Sequence, residues 1–118
     1  LKKAEDFVKD ADWDFKGQRY GATINRSYYA IFACTQASLV EENVHTKTHQ
    51  GAHVKFHELY IKTGRLPRSM AESLKFNSDL RQVGDYDFSA EISENDALES
   101  LQNAQMFFDT TCKFLQKK

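Results

Sequence analysis

Two arginines and a set of aromatic hydroxyls are the groups in this sequence best suited to hold an anion. Arg26 lies in the run Asn25-Arg26-Ser27-Tyr28-Tyr29, the densest set of specific polar groups in its segment. Its planar guanidinium can fork onto a phosphate or a carboxylate. Tyr28 and Tyr29 read first as packing residues whose hydroxyls find a polar partner at the edge of a core, and second as walls of a polar site. Further along, Arg81 and Asp85 stand one helical turn apart with Tyr86 beside them. As an exposed pair they would contribute only about 0.3–0.5 kcal/mol. Beside an aromatic ring, the same two groups could orient a ribose or a phosphate. Arg26, Tyr28, Tyr29, Arg81, Asp85 and Tyr86 are therefore the candidate binding residues, on condition that two distant segments pack side by side.

Other chemistries fare worse. His45, His49, His53 and His57 recur every four residues, and the last three share one helix face. Paired histidines at that spacing chelate zinc in metalloprotease helices, but the accompanying Glu is missing from His49-Gln50-Gly51-Ala52-His53. A solvated or capping role is expected for them, and no metal site. Gly17 and Gly21 do not make a phosphate loop, because the Lys-Ser or Lys-Thr partner is absent. Glu41 and Glu42 are sequence neighbours that cannot face each other on a helix. Cys34 and Cys112 fall within apolar helical patterns, reading as buried thiols rather than nucleophiles. No residue is assigned a catalytic role, and no cofactor is expected.

The bulk composition narrows the class. The chain has 118 residues, 41% hydrophobic and 28% charged, with Phe and Tyr supplying much of the apolar area. That is room for a single globular domain spanning residues 1–118. Sixteen basic residues against 17 acidic ones leave a formal charge of -1. Such a balance produces no net attraction to nucleic acid or an anionic membrane, and confines any such attraction to a local basic patch. No apolar run reaches membrane-spanning length and no signal-peptide core is present, so the expectation is a cytoplasmic protein without membrane association. A start at Leu1 rather than Met points to a chain trimmed from a slightly longer one.

The segments that must position these groups are helical by periodicity. From about Lys3 to Asp14, Ala4, Phe7, Val8 and Ala11 form a stripe that Phe15 completes, before Lys16-Gly17 breaks it. Between Gln18 and about Glu42, Tyr20, Ile24, Tyr28, Ile31, Thr35 and Leu39 define one face. Tyr29, Phe32, Ala33, Gln36 and Val40 widen it, as expected of the central helix of a bundle. Thr48 can cap a third helix that turns Val54, Phe56, Leu59 and Tyr60 inward and ends at Thr63-Gly64. Pro67 suits the first turn of a fourth, with Met70, Leu74, Asn77, Leu80, Arg81 and Gly84 on one side and a stop near Gly84. After a turn-rich stretch from Asp85 to Ile92, Ser93 and Asp96 form a capping pair for the last helix. Its stripe runs from Ala97 through Leu101, Ala104, Phe107, Phe108, Thr111 and Phe114 to Leu115, and its terminal lysines suit the helix dipole. Strand signals are weak. The prediction is an all-α fold, an antiparallel up-and-down bundle of about five helices joined by short loops.

Read together, these segments resemble the HEPN family, small helical domains named for nucleotide binding in higher eukaryotes and prokaryotes. Gly17-Gln18-Arg19-Tyr20-Gly21-Ala22 followed by Asn25-Arg26-Ser27-Tyr28-Tyr29-Ala30-Ile31-Phe32 is similar to the family's second-helix signature. Lys47-Thr48-His49 with Gly51, Phe56 and Lys62-Thr63-Gly64 resembles its third-helix region. Arg81-Gln82-Val83-Gly84-Asp85-Tyr86 is similar to the Arg-x3-Asp-Tyr pattern of one subgroup. The resemblance implies a bundle that is commonly a homodimer and is often encoded beside, or fused to, a minimal nucleotidyltransferase. Many relatives belong to toxin and antitoxin pairs in which the HEPN partner cleaves RNA, using an Arg followed four to six residues later by His.

This chain departs from that pattern. Tyr86 stands where the four-residue spacing after Arg81 places the His, and Ala33 stands seven residues after Arg26 where relatives often carry one. Metal-independent cleavage by a ribose hydroxyl needs a proton shuttle near neutral pH, which His supplies with a reference pKa of about 6.5 and Tyr, near 10, does not. The resemblance then implies a noncatalytic module. It would bind a nucleotidyltransferase partner and a nucleotide or RNA, with Arg26, Arg81 and Asp85 as the polar site and Tyr28, Tyr29 and Tyr86 as its walls. A metal-independent endoribonuclease toxin, completed by Tyr86 or by one of the four histidines across a dimer, is the alternative. A purely structural dimerisation domain is the third.

Overall fold

The computed structural model describes residues 1–86 and 92–116, with the side chains of Asp85 and Tyr86 outside the described part. Within it there is no strand, and the chain forms five helices. Helix α1 spans Lys2–Lys16, α2 Tyr20–Glu41, α3 His49–Phe56, α4 Arg68–Tyr86 and α5 Glu94–Gln116. At about 1.5 Å rise per residue, α2 and α5 each extend some 33–35 Å, which sets the long axis of a 40 × 25 × 22 Å body. Among the described residues no helix is long and apolar enough to cross a membrane.

Helix α2 is the hub, packing against α1, α3, α4 and α5. Its predicted inner face holds from Ile24 onward, with Ile24, Tyr28, Ile31, Thr35 and Leu39 buried and joined by Phe32 and Cys34, whereas Tyr20 at its start is only partly buried. Thr23, Thr35 and Ser38 are buried without penalty because each hydroxyl returns to the carbonyl four residues earlier. The widened stripe was drawn too far. Gln36 is exposed and Val40 is 56% exposed, because they share a side of α2 turned away from Thr35, Ser38 and Leu39, which are buried at the same end. Phe56, Tyr60, Met70, Leu74, Leu101, Ala104 and Phe107 complete the core from the other helices.

The helix ends follow local chemistry. Gly17 keeps an ordinary backbone, and it is Gln18 (φ 61°) that turns the chain between α1 and α2. The Thr48 hydroxyl accepts from Gly51 N at 2.9 Å, the expected cap. A Cβ on Gly51 would stand only 3.0 Å from that hydroxyl oxygen, so the glycine makes room for its own cap. Val54 points outward, 45% exposed, contrary to expectation, while Phe56 and Tyr60 point in. Two residues along an α-helix are about 200° apart, so with Ala52, Phe56 and Tyr60 on the buried side Val54 must face out. After Phe56 the chain forms a π-helical turn over His57–Ile61, closed by Lys62 N donating to His57 O at 2.8 Å. Gly64 then takes φ +78°, and Pro67 precedes the first residue of α4, offering its carbonyl to Met70 N. Helix α4 continues two residues past the predicted stop at Gly84. Ser93 caps α5 by accepting from Asp96 N at 3.0 Å. The turn-rich stretch over residues 87–91 and the terminal lysines, Lys117 and Lys118, lie outside the described residues.

A buried amide ties α4 to α5. Asn77, fully buried, donates to Ser100 O at 3.0 Å and accepts from Asn103 Nδ2 at 3.1 Å. At the other end, Arg65 lies over the rings of Tyr60 and Phe114 and pairs with Glu42 at 2.7 Å. The Tyr60 hydroxyl donates to the Ser38 carbonyl, anchoring the π-helical turn to α2.

Candidate functional site

Tyr28 faces inward at the middle of α2 and is 1% exposed. A hydroxyl carried that deep needs partners. It finds them on α3, lying 3.0 Å from His49 Nδ1 and 3.2 Å from His53 Nε2. Both rings reach one oxygen because residues four apart on a helix project one above the other. His49 also stacks on Phe32, ring centroids 4.0 Å apart.

Helix α4 closes the other side. Its contact with α2 brings the Arg81 guanidinium carbon to 4.8 Å from the Tyr28 ring centre and 5.1 Å from that of Tyr29. One Arg81 amino group donates to the Tyr29 hydroxyl at 3.2 Å. A cation over two aromatic faces is an attractive arrangement, stronger where water is excluded.

The electrostatics follow from burial and from this one cation. Burial first, and Arg81 second, hold the His49 imidazole below its ordinary value of 6.5. Burial first, and His49 second, do the same for His53. Burial pushes the Tyr28 phenol above 10.0 although Arg81 pulls it down. Near neutral pH the cluster therefore holds two uncharged imidazoles and a protonated phenol, and among the described residues its fixed charge is the guanidinium.

Two cavities flank this cluster. The first, of about 660 Å³, opens between α1, α2 and α3. Its floor is aromatic, from Phe7, Tyr29 and Phe32, and its polar groups include Lys3, Arg26 and His49. The second, of about 630 Å³, lies between α3 and α4, with His53, Ser78 and Gln82 on its wall. Both are within the range of small-ligand sites.

The structure brings part of the predicted site together. Arg81, Tyr28 and Tyr29 meet, as the packing of α2 on α4 requires. Arg26 stands on the solvent side of α2, donates to Asn25 Oδ1 at 2.9 Å, and shares the first cavity with Tyr29. The two guanidinium groups thus share Tyr29 as neighbour, one on its hydroxyl and one beside the cavity it lines. Asp85 and Tyr86 lie at the end of α4, and their side chains are outside the described residues.

The histidines are the correction. His49 and His53 are neither merely solvated nor capping; they are half-buried partners of Tyr28, whereas His45 and His57 are exposed. The shared face of His49 and His53 was visible in the spacing, but their partner lies more than twenty residues upstream on another helix. Among the described residues no three His, Cys, Asp or Glu side chains are placed to hold a metal ion. Cys34 is fully buried and burial pushes its thiol up to about 12, as suits a core residue.

Comparison with known proteins agrees with this architecture. The chain is 29% identical over all of its length to 80% of a Methanocaldococcus jannaschii protein named "Putative toxin". It is 25% identical over 98% of its length to 87% of a Thermotoga maritima "UPF0332 protein". It is 32% identical over 81% of its length to 77% of a Gloeobacter violaceus "UPF0332 protein". The family model described as the HEPN domain matches residues 1–115, and the chain belongs to the HEPN family.

Proposed function

We propose that this chain is a HEPN-type binding module that takes a nucleotide or an RNA phosphate into the cavity between α1, α2 and α3, and acts beside a minimal nucleotidyltransferase without catalysing a reaction itself. The observation that carries the ligand reading is Arg26: it is exposed on the cavity wall, and no carboxylate pairs with it among the described residues. Lys3 stands on the same wall, and Phe7, Tyr29 and Phe32 supply surfaces for a base. Cations around an aromatic floor suit a phosphate joined to a planar ring. Asp10, also on the wall, disfavours a ligand that is anionic throughout. An internally consumed Arg26 would have favoured a purely structural domain, and Arg26 is not consumed. The nucleotidyltransferase partner and the homodimer rest on family membership.

A second reading has one specific support. His49, kept neutral, lines the same cavity as Arg26, and a neutral imidazole beside a free guanidinium is a pair that ribose-hydroxyl attack on RNA can use. The name of the Methanocaldococcus jannaschii relative points the same way. Nδ1 of His49 is engaged by Tyr28, so Nε2 is the nitrogen such a reaction would use.

Titrating the protein with mononucleotides and with single-stranded and transfer RNA, in chelator, separates the readings. Binding that falls at least tenfold in Arg26→Glu, with the RNA intact, is the expected result. Cleavage lost in His49→Gln moves the assignment to the endoribonuclease. Absence of nucleotide and RNA binding, together with no nucleotidyltransferase copurifying from the native cell, removes the proposal.

A further inference from the structure

The Tyr28 hydroxyl has one proton and two imidazole nitrogens in hydrogen-bonding range, at 3.0 and 3.2 Å. A phenol can donate to only one of them. A bare nitrogen facing the phenol oxygen without a proton between them would be repulsive, so the other imidazole has to donate. His49 lines the cavity between α1, α2 and α3, and His53 lines the one between α3 and α4. The three side chains therefore run through the bundle from one cavity to the other.

We infer that Tyr28 and His53 are positioning residues that determine, through this hydrogen-bonded chain, whether His49 offers a proton or a lone pair to the first cavity. With the phenol proton kept between the two rings, two arrangements satisfy both nitrogens that face it. In one, Tyr28 donates to His49 Nδ1 and accepts from His53 Nε2, so both rings carry their proton on Nε2 and His49 is a donor toward the cavity. In the other, His49 Nδ1 donates to Tyr28 and Tyr28 donates to His53 Nε2. Both rings then carry their proton on Nδ1, and His49 Nε2 is a base. Passage between them is balanced. A proton enters at His53 Nδ1, the Nε2 proton of His53 moves to Tyr28, the phenol proton moves to His49 Nδ1, and the Nε2 proton of His49 leaves. One proton enters and one leaves, and no net charge stays behind.

The surroundings favour neutral rings. Arg81 on α4 lies over the Tyr28 ring and, with Ser78 on the same helix, pulls the phenol down against its burial, while Tyr29 on α2 stands edge-on to the ring. Among the described residues Arg81 is the charged group facing the cluster, and it opposes a second positive charge on His49. Ser78 supplies the competing arrangement: if Tyr28 gave its proton to Ser78, both histidines could donate to the phenol, and their tautomers would be opposite.

This inference rests on the proposed function only in treating the first cavity as a ligand site. Its test reads the free protein. Ring nitrogen NMR on the intact chain gives the fraction of Nε2–H in each imidazole, and the expected result is one common fraction for His49 and His53. Unequal fractions, with His49 protonated on Nδ1 and His53 on Nε2, overturn the inference whatever the protein binds. His53→Gln should then change the His49 fraction, and should leave it unchanged when made in a Tyr28→Phe background. A change of equal size in both backgrounds would show a merely structural influence and also overturn it. Matching tautomers in a protein that binds no RNA would retain the chain of protons and remove only the ligand.

Discussion

Replacing Arg81 by Met keeps an unbranched apolar stem and removes the charge, and its consequences can be worked out. The guanidinium lies over two aromatic rings at 4.8 and 5.1 Å and donates to Tyr29 at 3.2 Å. Each cation–π contact at a part-exposed site is worth about 0.5–1 kcal/mol and the hydrogen bond about 1 kcal/mol. A loss of roughly 2–3 kcal/mol follows, or a Tm lowered by roughly 5–15 °C for a chain of this size. The pH dependence has a sign. His49 and His53 sit below 6.5 in the folded protein, so the unfolded chain binds more protons as the solution is acidified. Their contribution to stability is complete above the unfolded value near 6.5, and is lost as pH falls through the lowered folded values. Without Arg81, His49 moves back toward 6.5, since one of its two depressing causes is gone, though burial keeps it from returning fully. The stability gap between wild type and Arg81→Met should therefore be widest at pH 7.5 and narrower at pH 5. Urea unfolding at both pH values, with an NMR titration of the His49 ring, measures this. A gap that is constant with pH, or a His49 ring that titrates lower in the variant, would refute the electrostatic account.

The remaining predictions concern the frame around the cluster. Asn77→Ala should cost about 2 kcal/mol in urea unfolding, since it removes two buried hydrogen bonds between α4 and α5, and a cost under 0.5 kcal/mol would mean water replaces the amide. Thr48→Ala should cost about 1 kcal/mol through loss of the α3 cap, seen as a lowered Tm and faster amide exchange at Gly51. Cys34 should resist a thiol reagent until the protein unfolds, because it is fully buried with its thiol held near 12, while the partly exposed Cys112 reacts first. Equal rates for the two would contradict the packing of α2.

The bundle was legible in the sequence because its information is local. A stripe such as Ile24, Tyr28, Ile31, Thr35 and Leu39 encodes both a helix and its buried side, and Thr48 and Ser93 mark where helices begin. What lies across helices was not. Val54 was turned inward with Phe56 although two residues along a helix face nearly opposite ways, and no residue announces the π-helical turn at His57–Ile61. Tyr28, Tyr29 and Arg81 could be nominated from residue type and are found together. Arg26, two residues before Tyr28 and so turned about 200° from it, lies off that face as periodicity has it and meets the others only through the cavity it shares with Tyr29. His49 and His53 looked like a surface series because nothing in their own segment reveals that Tyr28 arrives from α2 between them.

The position of α2 has a consequence for how the protein is made. Its inner face is closed in part by α5, which follows the other four helices along the chain. While the chain is still emerging from the ribosome, the aromatic residues of α2 have no complete wall to pack on. Native order around α2 must then wait until Phe107 and its neighbours are released, so translation through α5 is an interval in which a chaperone has much to shield.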